Sequence, residues 1–416
     1  MSSILDVARI KRDFPIFQAE MRGGKRLVFL DSGATSQKPI QVMDAEREFY
    51  SKHNAAVHRG SYYLAEQASE AYEGARARVA AFLDVSAEEV IFTKSATESL
   101  NLLAVSFERS TGMLGINAGD EIVVSELEHH ANLLPWQQLA KRTGAVLKWF
   151  EMNPDGSLDL SDIDRVITPR CKVVAITHLS NVLGSVPDIA PIIAAAHAVG
   201  AVFVLDGCQS VPHQPIDIAT LDIDFLVFSG HKALGPTGIG VLWGRAQLLE
   251  QMEPYLYGGS MIETVTMTGA TWASAPKKFE AGVPNMAQAV GLAAGLEYLS
   301  EVGLPSIHNW EMQLTDHAIR GLNSIEGVKV IGPQGIENRG GVISFVIAGL
   351  HPHDVGQVMD QYGVAVRTGH HCAWPLIRKL GLAGTTRASF YLYNEMADVD
   401  VFLESVIGAR DYFGKR

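Results

Sequence analysis

Cysteine is scarce in this chain: Cys171, Cys208 and Cys372 are the only three in 416 residues. That excludes the paired disulfide framework of a small secreted fold and points to a reducing, cytoplasmic compartment. Lysine and arginine form no cluster, and the net charge is −12. Binding a phosphate backbone needs concentrated positive charge, so the balance argues against a nucleic-acid partner. Membrane-length apolar runs are missing as well. The longest uncharged stretch, 189–205, contains Pro191, His197 and Gly200 and reads as a buried helix, a glycine stop and a strand, not a membrane span. The opening "MSSILDVARIKRDF" interleaves charges with its apolar positions and has no apolar core of the kind a secretion signal needs. Internal repeats, low-complexity tracts and Gly/Ser linkers are also absent, so neighbouring domains are expected to share a close interface.

The length suits roughly two domains of about 100 to 250 residues. Seven short β-branched runs, "EVIFT", "EIVVS", "AVLKWF", "KVVAITH", "AVFVLD", "FLVFS" and "GIGVLW", fall between about residues 85 and 245. Helical stretches such as "DIAPIIAAAHAVGA" separate them, which implies an α/β fold with a mostly parallel sheet covered on both faces. After about residue 285 the periodicity changes. "AVGLAAGLEYLSEVG" and "SIHNWEMQLTDHAIRGLNSI" read as amphipathic helices, and "GVISFVIAG" and "GVAVRTG" as strands, of a smaller α+β domain. The helix-like "ILDVARIKRDF" at the start is expected to pack with it.

Ligands in such sheets sit beyond the carboxyl ends of the strands, so the strand exits carry the chemistry. Asp206 ends an otherwise apolar strand, where a carboxylate needs a cationic partner. Lys232, in "FLVFSGHK", follows the next apolar strand and is placed as a Schiff-base nucleophile. Pyridoxal 5′-phosphate accounts for both, Lys232 holding its aldehyde carbon and Asp206 its pyridine nitrogen. Ser95 followed by Glu98 is a capping-box pattern, and the helix it opens would turn free N–H groups of Ala96 and Thr97 toward an anion. Of the adjacent pair His129 and His130, at most one can face a ligand, which argues against a shared zinc site. His129 is the choice for stacking on a flat ring and relaying protons. Asn181, at another exit, could hold a ring hydroxyl or a substrate carboxylate.

Taken in order, "LDSGATSQKP", "AAVHRGSYYLAEQASEAYEGAR", "EHHANLLPW", "HLSNVLGSVPDI", "DGCQSVPH", "FSGHKALGPTGIGVLWG", "FEAGVPN" and "VRTGHHCAWP" resemble the SufS-type group of cysteine desulfurases, fold-type I pyridoxal-phosphate enzymes, over essentially the whole chain. The resemblance implies a large cofactor-binding domain over 21–290 with a seven-stranded sheet flanked by helices. A small domain of 1–20 and 291–416 would carry the cysteine loop. It further implies that Lys232 is the cofactor lysine, Asp206 the pyridine partner, Gln209 the donor to the ring hydroxyl, and Ala96, Thr97, Ser229 and His231 the phosphate holders. Arg387 and Asn181 would take the substrate carboxylate, with Arg367 and, across a homodimer interface, His58 and Arg59 completing the cavity. At 283 this chain has valine where relatives often carry threonine, so a hydroxyl hydrogen bond to the neighbouring subunit's phosphate is lost.

Within "RTGHHCAWP" a metal site of Cys372, His370 and His371 lacks a fourth ligand nearby, and a disulfide conflicts with the compartment. Attack is left as the role of Cys372, on a loop whose Gly, His and Arg neighbours favour a thiolate. The implied reaction converts L-cysteine to L-alanine with a persulfide on Cys372, for iron–sulfur cluster assembly. A selenocysteine lyase of the same fold is the alternative. His353, ahead of a helix that Asp354 would cap, resembles the segment of those SufS-type enzymes that deliver sulfur to a zinc-bound SufU-like acceptor rather than a SufE-like one, with SUF scaffold proteins further on.

Overall fold

The computed structural model describes residues 5–414. Its centre is a seven-stranded sheet of β1 (Val90–Thr93), β2 (Glu121–Ser125), β3 (Val146–Phe150), β4 (Cys171–Thr177), β5 (Val202–Asp206), β6 (Phe225–Ser229) and β7 (Gly240–Gly244), in the order β1-β7-β6-β5-β4-β2-β3. These are the seven runs legible in the sequence. All pairings are parallel except those of β7, which runs antiparallel to β6 and β1. Every residue of β1, β2, β5, β6 and β7 is buried, because helices cover both faces; the edge strand β3 meets solvent, with Val146 and Trp149 exposed.

A second, antiparallel sheet has the order β8-β9-β11-β10, from β8 (Val328–Ile331), β9 (Val342–Ile347), β10 (Arg367–Gly369) and β11 (Thr385–Ser389). The stretch "GVAVRTG" is not one strand. Val364–Ala365 pairs with Val28–Phe29, and Arg367–Gly369 turns away to join β11. The helix Met286–Val302 departs from the amphipathic reading: buried residues surround it, because it is wedged between the helices Ile40–Glu48 and Tyr63–Leu83. The helix Leu304–Ser324 does keep one apolar face. Near the N-terminus the helix Val7–Arg12 ties to the C-terminal part, with Lys11 Nζ 3.0 Å from Glu395 Oε2 and Phe14 edge-on to Tyr393. No helix among the described residues is long and apolar enough to cross a membrane.

One buried ion pair anchors the "FEAGVPN" loop to the long helix Tyr63–Leu83. Arg76, 2% exposed, donates to Glu280 Oε1 at 2.6 Å and Oε2 at 2.8 Å; Glu280 also accepts from Tyr72 and the Phe92 N–H. Glu280→Ala leaves Arg76 with the part-exposed Glu73, 2.9 Å from its Nε, and strands the Tyr72 hydroxyl and the Phe92 N–H, so it is expected to cost about 3 kcal/mol. Urea unfolding checks this. A loss below about 1 kcal/mol would mean that water reaches the freed guanidinium.

Candidate active site

The carboxyl ends of β4, β5 and β6 open into a cleft of about 210 Å³. Asp206 closes β5 at 4% exposure, and its Oδ1 accepts the Cys208 N–H at 2.9 Å. No cation pairs with it among the described residues. Lys232, on the short turn after β6, lines the same cleft and makes no hydrogen bond or ion pair among the described residues. Its turn is held by the backbone carbonyl of His231, which accepts from Lys38 Nζ (2.8 Å), Thr35 Oγ1 (3.1 Å), Ser36 Oγ (3.1 Å) and the Ser36 N–H (3.0 Å). That clamp explains the "ATSQK" segment, which the sequence reading left without a role. Lys38 is pushed down to about 7 by burial.

The other end of the cleft is built by the helix α1 (Ala96–Arg109). Ser95 caps it, its Oγ accepting from the Glu98 N–H at 3.4 Å as the capping box requires. The close approach depends on Gly240 at the start of β7, where a Cβ would sit 2.6 Å from the Ser95 backbone. The expectation that the Ala96 N–H is free is corrected: it donates to Ser229 Oγ at 3.0 Å, and Ser229 lines the cleft with its hydroxyl hydrogen left to donate to an anion. Thr97 and His231 complete this end, with His231 pushed down to about 4 by burial and by Lys232.

His129 lines the cleft and His130 does not, as two adjacent residues require. The Ala131 N–H donates to His129 Nδ1 at 3.0 Å, which leaves the proton of the neutral ring on Nε2. Burial first, then the charge of Lys232, pushes His129 down to about 3, so the ring stays neutral. Behind it Glu128 is fully buried and accepts from Ser125 Oγ, Asn132 Nδ2 and the Thr177 N–H; burial still drives it up to about 8. His130 has a separate task. Its N–H donates to the Cys372 carbonyl at 2.7 Å, and its Nε2 accepts the Trp374 N–H at 3.0 Å.

Cys372 is exposed at the mouth of the cleft. His371 (φ 51°) and Cys372 (φ 57°) are both left-handed, a conformation costing roughly 1–2 kcal/mol per non-glycine residue. Side chains from elsewhere hold it. Asn181 Nδ2 donates to the His371 carbonyl at 2.7 Å, and the His371 ring meets Thr385 Oγ1 at 2.8 Å. Asn181 thus spends one amide hydrogen on the loop. Gln209 likewise donates to the Gly33 carbonyl at 2.7 Å, leaving its second amide hydrogen for any ligand. Cys171 and Cys208 are both pushed up by burial, Cys171 to about 12, so neither is a thiolate at neutral pH.

Arg387, 2% exposed, lines the cleft with its Nε buried and without a partner. Burial lowers it to about 10, and it keeps its charge at neutral pH. These groups fit pyridoxal 5′-phosphate: a buried carboxylate without a cation for the pyridine nitrogen, a free ammonium for the aldehyde, a capped helix start with a hydroxyl for the phosphate, and a neutral imidazole for the ring face.

His58, Arg59, Val283 and His353 are not among the residues lining this cleft. His58 Nε2 is bonded to Glu73 at 2.6 Å, and with Arg59 it lines a recess beside Ile262 and Trp272. Val283 is 74% exposed. His353 is exposed at the second position of the helix α2 (Pro352–Asp360), whose cap is His351 rather than Asp354; the His351 ring accepts the His353 N–H at 3.3 Å.

The model of the class-V aminotransferase family matches residues 28–402. The chain is 53% identical to probable cysteine desulfurase 2 of Mycobacterium leprae (strain TN) over 99% of its own length and 98% of that protein's. It is 49% identical to the probable cysteine desulfurase of Streptomyces coelicolor over 100% and 99% of the two lengths. The apo structure of the cysteine desulfurase from Thermococcus onnurineus NA1 superposes with a TM-score of 0.92 at 40% identity, covering 99% of this chain and 100% of that one.

Proposed function

The chain belongs to the class-V aminotransferase family, among its cysteine desulfurases, and we infer that it is a pyridoxal-phosphate-dependent enzyme taking L-cysteine to L-alanine. The single observation that carries this is the pairing of a free Lys232 opposite Asp206 with an exposed thiol, Cys372, at the mouth of the same cleft. When bound, the cofactor supplies an electron sink for the α-carbanion of the amino acid. The rest falls to the chain. Arg387 holds the substrate carboxylate, for which a guanidinium fork is suited, and Asn181 and Arg367 border it. Lys232, as a free amine, moves the α-proton. His129, which lines the cleft with its proton on Nε2, would stack on the cofactor ring and relay protons. Thr97, Ser229 and His231 would hold the phosphate, with the Ala96 N–H orienting the Ser229 hydroxyl, and Gln209 would hold the ring hydroxyl. The Cys372 thiolate attacks the substrate sulfur, so that one thiol and one cysteine become one persulfide and one alanine. Release of alanine from L-cysteine by the purified yellow protein tests the assignment. A selenocysteine lyase would use the same residues, and comparison of the two substrates' rates separates them.

In this reading 21–290 binds the cofactor, and 1–20 with 291–416 brings the Cys372 loop. The enzyme works in the cytoplasm as a homodimer of SufS type, and its persulfide supplies iron–sulfur cluster assembly. Support for the dimer is the exposed hairpin Ile262–Val265 and Ala270–Trp272, which turns Val265 and, at its tip, Met267 out to solvent beside the recess of His58 and Arg59. His58 and Arg59 would then serve the partner's cleft, and the Val283 loop would meet the partner's phosphate through its backbone. Light scattering giving the mass of one chain would sink this arrangement.

The acceptor follows from His353. Its helix α2 packs against β10, Gly356 on Thr368, and β10 runs directly into the Cys372 loop. An exposed imidazole on that side can ligate the zinc of a SufU-like acceptor and free one of its thiolates to receive sulfur, with the SUF scaffold proteins downstream. His353→Ala is expected to keep basal cysteine turnover within about twofold while losing stimulation by a zinc-loaded SufU-like protein. Full stimulation of the variant, or equal stimulation by a zinc-free SufE-like protein, overturns this.

A further inference from the structure

Arg367 and Arg387 are directly paired across β10 and β11. Opposed residues of antiparallel strands have Cβ atoms roughly 4.5–5.5 Å apart, and like charges so placed repel. A single carboxylate lies between them. Asp31 Oδ2 accepts from Arg367 Nε at 3.3 Å, and Asp31 Oδ1 accepts from Arg387 Nη2 at 3.2 Å. Backbone, not side chain, puts Asp31 there. It bridges to Ser389, two residues beyond Arg387 on the same face of β11; the Ser389 N–H donates to the Leu30 carbonyl and the Gly33 N–H to Ser389 Oγ, both at 2.8 Å.

Two guanidiniums and one carboxylate leave the cluster with one net positive charge. Among the described residues Arg387 Nη1 is committed to the Asn181 carbonyl at 2.9 Å, whereas Arg387 Nε, buried and unpartnered, and the two amino groups of the half-exposed Arg367 are left for a ligand. We propose that Asp31 is the specificity-determining counter-anion of this subsite, trimming its charge so that it accepts one carboxylate and lets it go again. The inference rests on the desulfurase reading, in which L-cysteine enters and L-alanine leaves through this contact. Without Asp31 the subsite would bind its carboxylate more tightly and would favour amino acids carrying a second acidic group.

The test is the dissociation constant of L-alanine, and of L-alaninamide as the probe lacking a carboxylate, by calorimetry on the pyridoxal-loaded protein. Wild type, Asp31→Asn, Arg367→Gln and the double variant carry cluster charges of +1, +2, 0 and +1 in that order. Alanine is expected to bind about three- to tenfold tighter to Asp31→Asn and weaker by a similar factor to Arg367→Gln, with the double variant returning toward wild type. Alaninamide should not follow that order. If Asp31→Asn does not fold, Arg367→Gln against the double variant isolates the same unit of charge without the opposed arginines. Losses that simply add, with the double variant weakest, or equal changes for alaninamide, would make Asp31 a structural residue and overturn the proposal. Alanine release from L-cysteine by wild type is scored separately. Its absence removes the desulfurase reading, and charge-ordered alanine binding stands or falls by itself.

Discussion

Lys232→Ala is expected to purify without the visible absorption of bound cofactor and to lose cysteine turnover by at least about a thousandfold, some 4 kcal/mol of barrier. Lys232 is the lysine that lines the cleft, and its ammonium makes no bond to the protein. The neighbouring Lys38 cannot replace it. That ammonium is already committed to the Ser36 carbonyl at 2.7 Å and the His231 carbonyl at 2.8 Å. Because the His231 carbonyl keeps its donors in the variant, the turn should persist and the loss should be chemical, not structural. Far-ultraviolet circular dichroism and the visible spectrum separate the two. A visible band that survives, and that borohydride fixes onto another lysine, would end the assignment.

The central sheet is legible because most of its strands are buried on both faces and read as apolar runs, and β5 and β6 lead directly into Asp206 and the Lys232 turn. Where sequence reading failed, the deciding contact lay far along the chain. "VKVI" forms β8 through pairing with β9 and "TTRAS" forms β11 between β9 and β10, and Arg76 reads as an ordinary helix residue until Glu280 closes on it. The site shows the same division. Asp206, Lys232 and the Ser95 cap announce themselves at strand ends, whereas Asp31 gains its meaning from Arg387, 356 positions away. His130 was set aside because only one of two neighbours can face a ligand; that geometry is what frees it to anchor the Cys372 loop. Ala96 was assigned a free N–H because nothing local reveals that Ser229 reaches it.

The second large effect concerns Cys372. Serine fits the position, since the loop is fixed by contacts that do not involve the thiol: His130 N–H to the Cys372 carbonyl, Asn181 to the His371 carbonyl, and the Ala373 N–H to the His370 carbonyl at 2.9 Å. Two consecutive left-handed residues therefore remain in place, and so do Arg387 and the rest of the cleft. What changes is the nucleophile. A hydroxyl is not ionised at neutral pH and cannot carry sulfane sulfur, whereas the thiol sits at the mouth beside Arg367 and Arg387. Cys372→Ser is thus expected to keep its cofactor spectrum and to bind L-cysteine with an affinity within a few-fold of wild type. Catalytic alanine release should fall by at least about a hundredfold. In wild type, the peptide carrying position 372 should gain the mass of one sulfur atom after exposure to L-cysteine; in the variant it should gain none. Cys171 and Cys208 offer no substitute, because burial keeps both thiols protonated. Alanine release at the wild-type rate by Cys372→Ser, with its fold and cofactor intact, would show that sulfur leaves the substrate by another route.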